Sequence, residues 1–214
     1  MQLTMHNVIP LYLQDRIKGQ PSAIWGTTVG MQQGELVSVQ APSGAGKSTF
    51  VQLLYGLRKD YTGTALWDNL AANTTDDEAL AALRTNNISI VFQDLRLFGE
   101  LTAMENIEIK RCLTNTTSTA TVHEYLHRLG MSHKIDARAE TLSYGERQRI
   151  AIIRALMQPF NWLLLDEPFS HLDNDNRHKA IELIRETVHA RKAGMILADL
   201  NTNNYFAYTQ TLIM

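Results

Sequence analysis

Cysteine is almost absent: Cys112 stands alone among 214 residues, so neither an internal disulfide nor a thiolate metal cluster can form. A reducing compartment and a buried, inert thiol are the expectation. Basic excess is missing as well. The formal net charge is -2 with 20% charged residues, which gives no argument for nucleic acid as a partner. Nowhere do about 18 apolar residues run uninterrupted, and the opening MQLTMHNVIP lacks both a basic leader and a long apolar core. The chain is expected to be neither secreted nor membrane-spanning. Internal repeats are also lacking.

What is present is an ordinary globular composition, 44% apolar, long enough for one large α/β domain. Short apolar runs recur with helical stretches between them: ELVSVQA from Glu35, ISIVF from Ile88, WLLLD from Trp162, MILAD from Met195 and the closing TLIM. Near-continuous apolar strands alternating with helices predict a parallel sheet covered on both faces. LTMHNVI near the start and TALWDN around Trp67 predict strands of an antiparallel layer. Pro159 closes a helix beginning near Tyr144, and Asp173 opens a long polar helix toward Gly194. Residues 94–158 read as an inserted helical subdomain between core segments 1–93 and 159–214.

APSGAGKST, Ala41 to Thr49, lies between a strand and a helix. In that context successive backbone N–H groups curl round phosphates and the helix N-terminus adds partial positive charge. Lys47 would reach the outer phosphates and the Ser48 hydroxyl would ligate Mg²⁺. Ser43, Gly44, Ala45, Gly46 and Thr49 complete the cradle. Glycine is usual at the position of Ala41. Alanine there costs about 1 kcal/mol or more if φ is positive and almost nothing if φ is negative.

WLLLDEP ends an apolar strand in two carboxylates. Asp166 is placed to hold Mg²⁺ through water, and Glu167 to orient or deprotonate an attacking water. In LSYGERQR, Ser143 and Glu146 have the spacing of a capping box, and such a helix start also offers N–H groups and a hydroxyl to an anion.

With these motifs in order, the chain resembles the ABC ATPases, the nucleotide-binding subunits of ATP-binding-cassette systems, over essentially its whole length. The resemblance implies an α/β P-loop NTPase cassette with a RecA-like parallel core, an antiparallel β layer and a helical subdomain. It makes APSGAGKST the Walker A loop, Gln93 the Q-loop glutamine and a Mg²⁺ ligand, and LSYGE the signature motif with Ser143, Gly145 and Glu146. LLLDEP becomes Walker B with Glu167 catalytic beside Lys47 and Gln93, Ser170 to Asp173 the D-loop, and Tyr12 the aromatic that stacks on adenine. Family cassettes meet head to tail as a dimer around ATP and Mg²⁺, so that hydrolysis works a membrane permease from the cytoplasmic face.

Three positions depart from the family pattern: Ala41, Tyr144 in place of glycine in the signature, and Ala198 where the switch histidine stands. The last implies slow hydrolysis unless His171 or a partner compensates. The wording VFQDLRLFGELTAMENI most resembles the lipoprotein-release, macrolide-exporter and cell-division group, in which Leu95, Leu97 and Phe98 would help form the groove for a permease helix. The alternative is an ATP-binding switch with little turnover that regulates a membrane or envelope partner. A soluble cassette acting on DNA or ribosomes is disfavoured by the acidic balance and by the lack of a coiled-coil insertion or second cassette.

Overall fold

The computed structural model describes residues 1–17, 21–73 and 75–214. Alternation of apolar and polar side chains makes β1 (Gln2–Pro10), whose Leu3, Met5 and Val8 are fully buried. A 3₁₀ turn at Leu11–Leu13 and a short helix, α1 (Gln14–Ile17), follow. Strands β2 (Thr28–Gln32), β4 (Tyr61–Trp67) and β5 (Leu70–Ala71) complete an antiparallel sheet in the order β2-β1-β4-β5.

The apolar runs form the second sheet from β3 (Leu36–Gln40), β6 (Ile88–Val91), β7 (Trp162–Asp166), β8 (Gly194–Asp199) and β9 (Gln210–Ile213). All pairings are parallel, in the order β6-β7-β8-β3-β9. Both faces of β6, β7 and β8 are covered, which is why these strands are buried at successive residues rather than alternate ones, whereas the edge strand β9 buries Leu212 and exposes Ile213. In β8, Ile196 and Ala198 join a core shared with α2 (Lys47–Leu54) and the antiparallel sheet. Met195 and Leu197 face the opposite core, built with α6 (Tyr144–Leu156) and α7 (Asn174–Ala190).

The helix α3 (Asp77–Asn86) precedes β6, capped by the Asp76 side chain. Between β6 and β7 the chain forms α4 (Ala103–Thr114), α5 (Thr119–Arg128) and α6. Ile150, Ile152 and Ile153 of α6 are fully buried in a core continuous with β7 and β8, so this helical segment shares its packing with the parallel sheet. Cys112 corrects one expectation. It is exposed on α4, and its thiol donates to Glu108 at 3.2 Å, a bond to a carboxylate that raises its pKa.

Candidate nucleotide site

The strand order puts the carboxyl ends of β3, β8 and β7 side by side, the edge at which open parallel sheets carry their ligands. The loop after β3 winds into α2 through two left-handed glycines, Gly44 (φ 82) and Gly46 (φ 98). A Cβ on Gly46 would also lie 2.8 Å from the Leu13 side chain. Ala41 is outside the positive-φ set, so its methyl carries no backbone strain. Lys47 is buried, and its ammonium donates to the carbonyls of Ala41 (2.9 Å) and Pro42 (3.4 Å). Glu167 Oε1 stands 3.6 Å from the same nitrogen.

These groups open on a cavity of about 250 Å³ lined by Tyr12, Arg16, Ser43, Gly44, Gly46, Lys47, Ser48, Thr49, Gln93 and Glu167. Ala45 faces a second cavity across the loop, where its carbonyl accepts from the Trp25 indole at 3.2 Å. Tyr12 is about half exposed. Its hydroxyl meets that of Thr49, and the Arg58 guanidinium lies 4.8 Å over its ring.

Asp166 ends β7 in a buried position, and its Oδ1 has no hydrogen-bond partner. Its pKa is pushed up to about 6, first by burial and further by the Glu167 charge, against a lowering hydrogen bond from Ser48. In the structure the single Ser48 hydroxyl proton is donated to Gln93 Oε1 at 3.0 Å, and its Oγ stands close enough to Asp166 to turn to it instead. Hydroxyl, amide and carboxylate oxygens thus converge, with one buried acceptor atom unengaged, and this donor set fits a hard divalent cation such as Mg²⁺. Among the described residues no group of three or more His, Cys, Asp or Glu side chains could hold a metal alone, so phosphate oxygens and water would complete the shell.

Glu167 adopts a left-handed backbone (φ 48), fixed by its N–H donating to the Ala198 carbonyl at 2.9 Å. Ala198 itself is fully buried and offers no side-chain donor. The amide of Gln148 reaches the Glu167 carbonyl at 3.2 Å and accepts from the His171 N–H at 3.2 Å, tying the turn after Glu167 to α6.

Ser143 caps α6 by accepting from the Glu146 N–H at 3.3 Å, while the Glu146 carboxylate accepts from the Ser143 N–H at 2.8 Å. Ser143, Gly145 and Glu146 do not line the cavity. A Cβ at Gly145 would come 2.9 Å from the His171 carbonyl, so glycine lets α6 approach that turn. The Tyr144 hydroxyl donates to the Gln93 carbonyl at 2.8 Å, and its ring centroid lies 4.1 Å from that of His171. His171 shares a 2.9 Å hydrogen bond through Nδ1 with Ser170 and stays off the cavity.

In the segment after Gln93, Leu95 departs from its expectation as a groove-forming side chain. Leu95 (φ 60) and Arg96 (φ 47) form a left-handed turn that buries Leu95, while Leu97 packs partly against the core and Phe98 is 57% exposed. Arg154 holds this turn by donating to the carbonyls of Leu95 (2.5 Å) and Arg96 (2.6 Å). Sequence reasoning did not find Arg16, Trp25, Gln148 or Arg154. Arg16 alone had a local signal, since it follows Tyr12 by one helical turn. The others act on residues distant in the chain.

A phosphate cradle facing an acidic strand end across one parallel sheet makes this a P-loop nucleotide-binding domain. The family model described as ABC transporter matches residues 26–170, and the chain belongs to the ABC transporter family, whose cassettes bind and hydrolyse ATP. The lipoprotein-releasing system ATP-binding protein LolD of Myxococcus xanthus is 37% identical over 164 residues, 75% of this chain and 73% of its own length. LolD of Psychrobacter arcticus is 28% identical over 201 residues, 92% of this chain and 88% of that protein. The macrolide export ATP-binding/permease protein MacB of Salmonella paratyphi A is 35% identical over 156 residues, 72% of this chain and 24% of MacB. The solved dimer of MJ0796, a bacterial ABC transporter cassette, has a TM-score of 0.80 at 27% identity, covering 93% of this chain and 88% of that one. Its post-hydrolysis state bound to ADP and Pi has a TM-score of 0.79 at 28% identity, with 95% and 89% covered.

Proposed function

We propose that the chain is the ATPase subunit of a membrane transport or mechanotransmission complex of the lipoprotein-releasing and macrolide-exporting kind, peripheral on the cytoplasmic face. It works as a homodimer with Mg-ATP held between subunits. One observation carries the reading: Ser143, Gly145 and Glu146 form a well-capped helix start that lies off the cavity made by the chain's own phosphate loop. Such an end, with its N–H groups and partial positive charge, serves the nucleotide of a second copy. The solved dimers of MJ0796 support that arrangement, and the LolD and MacB relatives support a permease as the driven partner.

In this reading Lys47 and the N–H groups of residues 43–49 hold the phosphates, and Tyr12 stacks on adenine. Ser48, Gln93 and Asp166 hold Mg²⁺, which when bound supplies charge neutralisation at the β- and γ-phosphates. Glu167 is the general base, positioned by its backbone bond to Ala198. Residues 94–158 form the helical subdomain that carries the signature helix and, at Phe98, part of the surface offered to the permease. Hydrolysis is slow because Ala198 supplies no hydrogen bond to developing charge, a feature that equally supports a reading as an ATP-occupied switch.

Glu167→Gln keeps the shape of the side chain while removing the base, and it should trap the dimer. Light scattering in saturating Mg-ATP, with the membrane partner present, tests this. A variant that stays monomeric there overturns the shared-site reading.

A further inference from the structure

A cavity of about 390 Å³ lies at the amino-terminal edge of the parallel sheet, opposite the edge that carries the nucleotide site, and shares no lining residue with it. Its size falls in the range of roughly 300–1,000 Å³ usual for small-molecule sites. Leu36, the first residue of β3, and Met195, the second of β8, line it together with Val188 of α7, Ala193 and Phe206. Val188, Ala193, Met195 and Phe206 are buried, so the wall is hydrocarbon. Phe206 is held in that wall by Tyr208, edge-on at 6.0 Å, and by Phe169 at 6.5 Å. Space is left because Gly34 (φ 96) and Ala207 border the cavity without bulk.

Three basic side chains border the same cavity. Arg185 and His189 lie one turn apart on one face of α7, and Lys192, a left-handed residue (φ 50), stands in the turn into β8. All three are exposed, and among the described residues none makes an ion pair with a carboxylate. Acids close by in the chain turn elsewhere: Glu186 pairs with Arg128 at 2.7 Å, Glu182 bonds His178 at 3.3 Å, and Glu35 accepts from the Gln32 N–H at 2.8 Å. The Arg185 guanidinium spends one donor on the Tyr205 carbonyl at 3.1 Å, which fixes it beside the Phe206 segment and leaves it other N–H groups. Cations at the end of a helix also answer its dipole. That role needs no hydrocarbon cavity beneath them.

We propose that this cavity binds a small amphiphilic carboxylate, a free fatty acid of medium chain length, with its hydrocarbon tail among Leu36, Val188, Met195 and Phe206 and its headgroup at Arg185 and Lys192. Burial of the tail supplies affinity, and the basic rim selects an acid, for which the guanidinium fork of Arg185 is matched in shape. The enclosed volume takes one chain, whereas a membrane phospholipid carries two, so the occupant is the free acid and not the bilayer. Such a site is separate from the nucleotide and independent of the membrane partner.

Isothermal calorimetry on the full chain with decanoate, octanoate and decanol tests it. Decanoate should bind at one site, and octanoate, two methylenes shorter, about 10-fold more weakly. Decanol, which lacks the charge, should also bind about 10-fold more weakly than decanoate. The double variant Arg185→Gln, Lys192→Gln should lose about 10-fold in decanoate affinity, and Ala207→Trp, which fills the cavity from an exposed position, should abolish binding. Both variants should keep the ATP affinity of wild type. Independently of any variant, the Met195 methyl resonance of selectively labelled wild type should shift as decanoate is added. Absence of decanoate binding, equal affinity for decanol, wild-type affinity in either variant, or shifts confined to other methionines would overturn the proposal. Flotation of wild type, but not of the double variant, with phosphatidylglycerol vesicles while decanoate stays unbound would overturn it too, assigning the basic rim to a membrane surface.

Discussion

Asp166 and Ala198 face each other across β7 and β8, and the residue after Asp166 hangs its N–H on the Ala198 carbonyl at 2.9 Å. The acid that would hold the metal and the one that would activate water are both referenced to Ala198, a position with no polar side chain. Ala198→His introduces a donor at this point. Phosphate release with the partner present should rise about 10²-fold or more. The site is fully buried, so the larger ring should cost about 1–3 kcal/mol of stability by overpacking. Brisk wild-type turnover unaffected by the substitution would refute the slow-hydrolysis reading.

Lys47 places its charge between two loop carbonyls and Glu167. Lys47→Ala should weaken ATP binding by about 10- to 100-fold, the worth of a charged hydrogen bond. Isothermal calorimetry on both proteins measures it, and equal affinities would remove Lys47 from the site.

Asp166 should leave a signature in the pH dependence of stability. An acid whose folded pKa exceeds its unfolded value keeps protons that the unfolded chain has released. Its contribution therefore weakens folding as pH rises from about 4 to about 6, by about 3 kcal/mol in total, and levels off above. Glu105, Glu146 and Asp173 are held below their usual range by backbone hydrogen bonds and act in the opposite sense, so the wild-type curve mixes both. Chemical denaturation of wild type and Asp166→Asn across this window isolates the difference. The variant should gain on wild type as pH rises, and parallel curves would contradict the assignment.

Tyr144 links the α6 start to the Q-loop carbonyl and to His171. Tyr144→Phe should cost about 1 kcal/mol for the lost hydrogen bond. Tyr144→Gly, which restores the family residue, should cost about 2–3 kcal/mol, since it also loses ring contact and adds helix-start entropy. Urea titrations of the three proteins rank them, and a glycine variant as stable as wild type would make the bridge incidental.

Much of the architecture was legible in one dimension. The five apolar runs became the five parallel strands, and Ser143 with Glu146 made the capping box their spacing announced. Both signals are local, set by strand burial and by the reach of a side chain over three residues. Cys112 misled because thiols favour interiors as a class, whereas its place on α4 turns outward to Glu108. Leu95 misled for the opposite reason: nothing in LRLF announces two successive left-handed residues, which turn the first leucine inward.

By itself, then, the sequence determined the pieces: a glycine-bearing loop able to cradle phosphate, an apolar strand ending in two acids, a capped helix start and a strand that carries Ala198, not histidine, just before its closing Asp199. Each is set by contiguous residues whose chemistry acts within a turn or a strand. Tertiary structure decided how they meet. Inserting β8 between β7 and β3 brings the Ala198 carbonyl to Glu167, and helix packing brings the Tyr144 hydroxyl to a carbonyl 51 residues away. It also closes one cavity from Leu36, Val188 and Phe206, three residues far apart in the chain. Strand order and helix docking follow from burying all the apolar faces at once, a condition on the whole chain that no local spacing records.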